Sequence, residues 1–216
     1  MIELKRITVG YLQVNCYLAK CSQTGEGIVI DPGADIDNIA EGIKKFGMKP
    51  VAVVLTHCHF DHAEQVPEVC KRYSVPLIYH EQERETALDP AKNLTARYSR
   101  EDLSLKADRL VNQGDQICFG KESFFVLHTP GHTPGSLCLY APGILISGDT
   151  LFRQNMGRSD FPGGDEAALA RSIQEKLFVL PAETEVLPGH NKPSVIGFER
   201  ENNLLALQAI RMYCRE

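Results

Sequence analysis

The chain has 216 residues, 43% of them hydrophobic, with 28 acidic and 23 basic side chains and a net charge of −5 when histidine is neutral. That length suits one α/β domain over residues 1–216, with material for a substantial core and little room for a second. No basic face points to nucleic acid, no apolar run is long enough to span a bilayer, and seven scattered cysteines without a C-x-x-C pair argue for a reducing compartment rather than a disulfide framework.

Met1 to Arg6 lack the apolar core of a signal peptide, so a cytoplasmic protein is expected. Residues 2–9 and 13–19 alternate apolar and polar and predict paired strands. Gly27 to Asp31 predicts a third, ending in the turn Asp31-Pro-Gly33. From Asp35 to Phe46 apolar residues fall at 36, 39, 40, 43 and 46, a helical spacing stopped by Gly47. Pro50 to Leu55 is apolar and β-branched, a buried strand, and it empties into Thr56-His57-Cys58-His59-Phe60-Asp61-His62. Val66, Val69, Cys70 and Tyr73 mark a helix that begins near Ala63-Glu64. Val75 to Tyr79 predicts a strand and Glu81 to Leu88 a short helix. Residues 89–108 are polar without a clear period and form a candidate substrate-facing loop. Strands follow at 116–119, 123–128, 136–140 and 143–147. Asp165 is placed to cap a helix running to about Leu180, with Leu169, Ile173 and Leu177 on its core face. Val186-Leu187 leads to His190, and a last helix is predicted from Phe198 to Arg211.

Three imidazoles and a carboxylate within seven residues, directly after a buried strand, are chemically specific. Imidazole and carboxylate are ligands of zinc, iron and manganese. Alternate side chains of an extended segment share a side. His57, His59 and Asp61 can therefore converge, and a tightening turn can bring His62 round. Four such groups from one loop crowd a single ion and suit two ions side by side. Three further candidates each follow a short apolar run and sit beside glycine, which lets the backbone bend sharply: His132 in Pro130-Gly-His-Thr-Pro-Gly135, Asp149 in Ser147-Gly-Asp-Thr150, and His190 in Leu187-Pro-Gly-His190. This uses five of the seven histidines. Of the others, His128 reads as a buried, hydrogen-bonded histidine and His80 as a side chain that could line a pocket. Cys58 points opposite to His57 and His59 in an extended segment and reads as packing. Tyr11, Asn15 and Tyr17 could approach the site.

In the run at 56–62, in Pro-Gly-His132-Thr-Pro-Gly, in Gly-Asp149-Thr-Leu-Phe and in Pro-Gly-His190, the chain resembles the metallo-β-lactamase superfamily. Within it, the chain resembles the glyoxalase II-like hydrolases of the short bacterial type. Periodicity supports α/β; the resemblance implies a four-layer αββα sandwich. It implies one ion on His57, His59 and His132 and another on Asp61, His62 and His190. Asp149 would bridge them together with a water or hydroxide, with catalysis resting on Asp61 and Asp149. It also implies that Asp31, otherwise a turn former, supports the ligand loops. The cofactors would be two divalent ions, zinc foremost, with iron or manganese also fitting the ligands.

The implied reaction is hydrolysis of a small-molecule acyl thioester, such as lactoylglutathione, to an acid and a thiol. Larger glyoxalase II enzymes hold glutathione with a lysine and a tyrosine just after a glycine, and with a further helical domain. Here Gly157 is followed by Arg158-Ser-Asp-Phe161, with no tyrosine, and the chain stops after one helix. Arg158 is a candidate substrate contact or a salt-bridge partner of Asp160. Two alternatives share the motifs. One is a mononuclear iron persulfide dioxygenase that would use His57, His132 and Asp149; the other is a lactonase or β-lactamase.

Overall fold

The computed structural model describes residues 1–214. The first half contains β1 (Ile2–Val9), β2 (Val14–Cys21), β3 (Glu26–Ile30), α1 (Ile36–Phe46), β4 (Lys49–Val54), α2 (Phe60–Ala63), α3 (Val66–Tyr73) and β5 (Leu77–His80). A 3-10 turn (Glu81–Glu83), α4 (Arg84–Leu88), α5 (Thr95–Tyr98) and β6 (Arg109–Val111) complete it. The second half contains β7 (Gln116–Phe119), β8 (Glu122–His128), β9 (Leu137–Ala141), β10 (Ile144–Gly148), the short hairpin β11 (Leu151–Phe152) and β12 (Asn155–Met156), and α6 (Glu166–Ser172), which runs into a π-helical turn (Ile173–Leu177). It ends with β13 (Glu185–Pro188), β14 (Ser194–Val195), α7 (Ile196–Asn202) and α8 (Leu204–Tyr213).

Two six-stranded sheets result, ordered β1-β2-β3-β4-β5-β6 and β14-β13-β10-β9-β8-β7. The first is antiparallel through β3 and parallel from β3 to β6; in the second only β10 and β13 run parallel. Three apolar layers stack these sheets into the expected four-layer αββα sandwich. Tyr17, Ile28, Ile30, Val54 and Ile78 of the first sheet meet Phe124, Val126, Leu139 and Ile146 of the second. Leu18, Val29 and Val53 on the other face of the first sheet pack under Ile39 and Ile43 of α1 and Val66 and Val69 of α3. Cys138, Leu145 and Val186 pack under Leu169 and Ile173 and against Ala206 of α8. Each such aliphatic side chain contributes about 1.5–3 kcal/mol when fully buried, so the layers hold the strand ends rigidly. The ends of β4, β8, β10 and β13 open on one edge of the sandwich, where their connections gather.

The elements depart from the expected ones where polar residues turn inward. The helix after the ligand run is two pieces, because Pro67 has no N–H for the carbonyl of Ala63 and α3 restarts with Pro67 in its first turn. Residues 89–108 are less polar in place than in sequence: Asn93, Leu94, Thr95 and Leu105 are buried. The helix from Asp165 ends its regular course in the π-helical turn at Leu177 rather than at Leu180, with Asp165 Oδ1 accepting from Ala168 N as its cap. The predicted last helix is broken at Asn203, whose φ of −83° and ψ of 85° are not helical.

Asn203 breaks the helix because its buried amide is used elsewhere. Its Nδ2 donates to Asn155 O at 2.8 Å, Phe152 O at 3.3 Å and Glu199 Oε2 at 2.9 Å, and its Oδ1 caps α8 by accepting from Ala206 N at 3.1 Å. The residue thus moors the β11–β12 hairpin to the helices. Replacing Asn203 with alanine removes three donated hydrogen bonds and the cap of α8 and is expected to lower stability by about 2–4 kcal/mol. The midpoint of urea unfolding measures this; an unchanged midpoint would contradict the mooring role.

Candidate metal centre

The site begins where β4 ends. The chain bends at Thr56 and leaves the sheet, and His57 and His59 turn to one side. Asp61 does not follow by strand alternation, as expected from the sequence; it and His62 lie on α2, and the helical turn brings both carboxylate and imidazole back to the same edge. The connection after β8 supplies His132, the bend after β10 supplies Asp149, and the turn after β13 supplies His190. All seven predicted ligand residues are brought together.

Two trios that share no residue form, with the chosen ligand atoms of each within 4.8 Å of one another, His57, His59 and His132, and Asp61, His62 and His190, and a third, His57, His62 and Asp149, overlaps both. In the first, His132 Nε2 lies 3.0 Å from His59 Nδ1 and 3.2 Å from His57 Nε2. Nitrogens bound at about 2.0–2.1 Å to a tetrahedral zinc ion are about 3.3–3.4 Å apart, so this spacing fits a shared cation. In the second, His190 Nε2 lies 3.3 Å from Asp61 Oδ2 and 3.4 Å from His62 Nε2. The Asp149 carboxylate faces both: Oδ2 is 3.7 Å from His132 Nε2 and 3.5 Å from His190 Nε2, and Oδ1 is 3.4 Å from His62 Nε2. Asp149 Oδ1 is buried without a hydrogen-bond partner among the described residues. A buried oxygen in that state is uncommon, and a bound cation would satisfy it.

The second nitrogen of most of these rings is tied to the protein, which fixes ring orientation and leaves the other nitrogen free to ligate. His62 Nδ1 pairs with Asp31 Oδ2 at 3.0 Å, His132 Nδ1 with Arg158 O at 2.6 Å, His190 Nδ1 with Leu12 O at 3.1 Å and His57 Nδ1 with Thr56 Oγ1 at 3.3 Å. Asp31 also accepts from Thr56 N at 2.8 Å and Thr56 Oγ1 at 2.7 Å, so this residue is a support for the ligand run as well as a turn former. Gly189 is required by close approach: a Cβ there would lie 2.2 Å from Asp149 Oδ1 and 2.7 Å from His62 Cε1. Asn15 and Tyr17 brace the same turn, each donating to Pro188 O, at 2.9 and 2.8 Å.

Glu83 is a supporting residue that the sequence did not single out. Its fully buried carboxylate accepts from Cys58 N at 2.9 Å, Gly135 N at 2.8 Å and Thr133 Oγ1 at 2.8 Å. It therefore ties the loop of His57 and His59 to the loop of His132. Burial pushes its carboxyl up to about 7, against the three donors that hold it down. Cys58 packs into the core as expected, and burial raises its thiol. His80 and His128 stack on each other with ring centres 3.9 Å apart, and neither lines the main cavity. Arg158 extends into solvent, its guanidinium bidentate on Asp160 at 2.9 and 2.7 Å, so its side chain makes the salt bridge while its carbonyl orients His132.

A cavity of about 660 Å³ opens over the seven groups. Its far wall is apolar and aromatic, with Tyr11, Leu12, Phe152 and Phe161, and with Leu94 and Tyr98 from the segment 89–108. That segment does face the site, through these two side chains.

The two trios differ in their hold on protons. Burial, reinforced by neighbouring histidines, lowers His57 well below the usual imidazole range and takes His59 to about 3, so both are neutral ligands at ordinary pH. Burial acts the same way on His62 and His190 but is outweighed by carboxylates: Asp149, Asp61 and Asp31 raise His62, and Asp61 and Asp149 raise His190. Burial likewise opposes ionisation of Asp61 and Asp149, but His62 and His190 outweigh it and hold both carboxyls below their usual range. A raised pKa means that protons compete with a metal at higher pH. On acidification of the metal-loaded protein, the ion of Asp61, His62 and His190 is expected to leave at higher pH than the ion of the three-histidine trio. Metal content along a pH titration reads this; loss in the opposite order would contradict it. Glu83→Ala, which strands the buried N–H groups of Cys58 and Gly135 and removes one partner of the Thr133 hydroxyl, is expected to cost on the order of 3 kcal/mol and to lower metal retention. Unchanged stability and metal content would remove Glu83 from the support of the site.

Known proteins share this architecture. A family profile described as the metallo-beta-lactamase superfamily matches residues 9–190. A probable metallo-hydrolase of Bacillus subtilis, YqgX, is 34% identical over 94% of this chain and 96% of its own, and the hydroxyacylglutathione hydrolase GloC of Haemophilus influenzae is 28% identical over 94% and 97%. Among solved structures, the B3 metallo-beta-lactamase BLEG-1 superposes with a TM-score of 0.87 at 36% identity, over 93% of this chain and 98% of its own. TTHA1623, solved in a di-iron-bound form, superposes with a TM-score of 0.81 at 34% identity, over 92% and 98%. With its two sheets, its helical outer layers and its histidine and aspartate cluster at the strand ends, the chain belongs to the metallo-beta-lactamase superfamily.

Proposed function

We propose that the protein is a two-metal hydrolase of small acyl thioesters, the reaction class of the glyoxalase II enzymes. The observation that carries this reading is the pair of complete trios with the Asp149 carboxylate facing both, under an open cavity. The coarser part, a metal-dependent hydrolase, is also supported by BLEG-1 and YqgX, whose names describe such enzymes; the thioester is supported by GloC.

Two divalent ions held here would supply water made acidic enough to ionise near neutral pH and a Lewis acid for a carbonyl. The protein supplies the rest. His57, His59 and His132 present neutral nitrogens on one side, and Asp61, His62 and His190 a mixed set on the other. Asp61 lines the cavity and its carboxyl is held below its usual range, so its carboxylate can accept a hydrogen bond from the attacking water and orient it. Asp149 fixes the separation of the two trios. Tyr98 and Phe161 offer aromatic surface beside the carbonyl. A thiolate leaves without help from a general acid, which suits a site whose two nearest carboxyls, Asp61 and Asp149, are both kept deprotonated.

A second reading is hydrolysis of a cyclic amide, favoured by the 36% identity to BLEG-1. One experiment separates the two. The metal-loaded protein is given lactoylglutathione and, separately, a penicillin, and bond loss is followed in each. Thioester loss that falls about a hundredfold or more in His57→Ala is the expected result. Opening of the penicillin without thioester loss would replace the proposal with the second reading. One iron per chain, with oxygen uptake on glutathione persulfide and no hydrolysis, would replace both with an iron dioxygenase.

A further inference from the structure

A second cavity of about 510 Å³ adjoins the first, and the two share Gln13, Asn155 and Asn191 as a common wall. Its charge is one-sided. Arg6, Arg153 and Lys192 line it, and no carboxylate does. This is unexpected in a chain with more acidic than basic residues. Five basic side chains elsewhere, Lys20, Lys45, Arg72, Lys92 and Arg158, have a carboxylate partner, and most of the other described lysines and arginines do not, so it is the gathering of three cations in one cavity that is distinctive. Among the described residues Arg6, Arg153 and Lys192 have none.

The three cations come from separate parts of the chain that the fold joins at the metal centre. Arg6 stands on β1 and its Nη1 donates to Asn191 O at 3.4 Å. Lys192 follows Asn191, two residues after the ligand His190. Arg153 sits at the tip of the β11–β12 hairpin that Asn203 moors, with its guanidinium over the Phe198 ring at 5.4 Å. The turn beneath is fixed: Asn15 Nδ2, buried, donates to Asn191 O at 3.0 Å and to Pro188 O at 2.9 Å. The cations therefore flank a braced ligand turn.

We propose that this second cavity binds the anionic end of the substrate's thiol half, a carboxylate or a phosphate group, while the thioester carbonyl lies over the metal centre. The inference rests on the thioester reading above and names the charge of the thiol. Guanidinium forks and an ammonium group are the chemistry that carboxylates and phosphates select. Gln13, Asn155 and Asn191 add amide donors along the path between the cavities. Arg158, the cation of the main cavity, is already bidentate on Asp160 and has less to offer such a group. The three basic side chains are exposed, so each acts through a screened field worth up to about fivefold in affinity, and together they also steer an anion inward.

The test uses one acyl group on three thiols: lactoyl thioesters of glutathione, which carries carboxylates, of coenzyme A, which carries phosphates, and of neutral N-acetylcysteamine. The metal-loaded protein is compared with a variant carrying Arg6→Glu, Arg153→Glu and Lys192→Glu, and with each single substitution. Thermal midpoint and metal content serve as fold controls. The expected result is a rise of about tenfold or more in KM for at least one anionic thioester, with kcat within about twofold and the neutral thioester unaffected. The anionic thioester with the larger rise identifies the group that is read, and added salt should shrink the difference in the unsubstituted protein. Equal KM changes for neutral and anionic thioesters, or none, would overturn the subsite and leave the thioesterase standing. Failure to cleave any of the three would overturn the thioester reading instead. Binding of S-methylglutathione and coenzyme A to the two proteins would then decide the subsite: loss in the variant sustains it, equal binding overturns it.

Discussion

The structure depends on an electrostatic constraint at one edge of the sandwich. Five imidazoles and two carboxylates face one another over a few ångströms, and most of them are buried. The arrangement is internally opposed: burial, with neighbouring histidines, lowers His57 and His59, while nearby carboxylates raise His62 and His190, and His62 and His190 in turn hold Asp61 down. A pair of divalent charges would be held by both halves and would relieve that opposition. The same constraint explains why the ligands are buried at strand ends. Loops alone would let the groups move apart, whereas β4, β10 and β13 are locked by the layers that pack on them.

Rigidity is completed by buried polar residues that never reach the ligand. Asp31 joins the start of the ligand run to His62, Glu83 joins that run to the His132 loop, and Asn203 joins the hairpin to the last helices. Each accepts or donates through every polar atom it has in a place where an unmet group would be costly. The burial that raises Glu83 toward 7 shows the size of the opposing desolvation. With a folded-state pKa above the ordinary carboxylate value, Glu83 costs the protein stability that is absent below about pH 4.5, grows as pH rises and is complete above about 7. Its three hydrogen bonds offset part of that cost by holding two ligand loops in register.

The clustering of the candidate ligands was legible in the sequence because most of them are announced locally. His57 and His59 alternate after an apolar strand, and His132, Asp149 and His190 each follow an apolar run and a glycine. The sheet strands and the helix over 36–46 were legible for the same reason, since period and burial agree. The supports were not. Glu83 sits in the charged run Gln82-Glu83-Arg84-Glu85, which reads as a solvated helix face, and its partners are 25 to 52 residues away. Asn203 ends the polar stretch Glu199-Arg-Glu-Asn-Asn203 inside the helix expected from Phe198 to Arg211, and only its contacts with Phe152 and Asn155 reveal why the helix must break there. The cationic cavity was hidden likewise, because Arg6, Arg153 and Lys192 are far apart in the chain and unremarkable singly.

The proposed centre holds two ions with Asp149 between them. Anomalous X-ray diffraction from crystals of the metal-loaded protein, recorded at the edge of the bound metal, tests this most directly. The prediction is two peaks about 3.5–4 Å apart, one within His57, His59 and His132, the other within Asp61, His62 and His190, with the Asp149 carboxylate touching both. A single peak held by His57, His132 and Asp149, with the second trio empty at saturating metal, would contradict it.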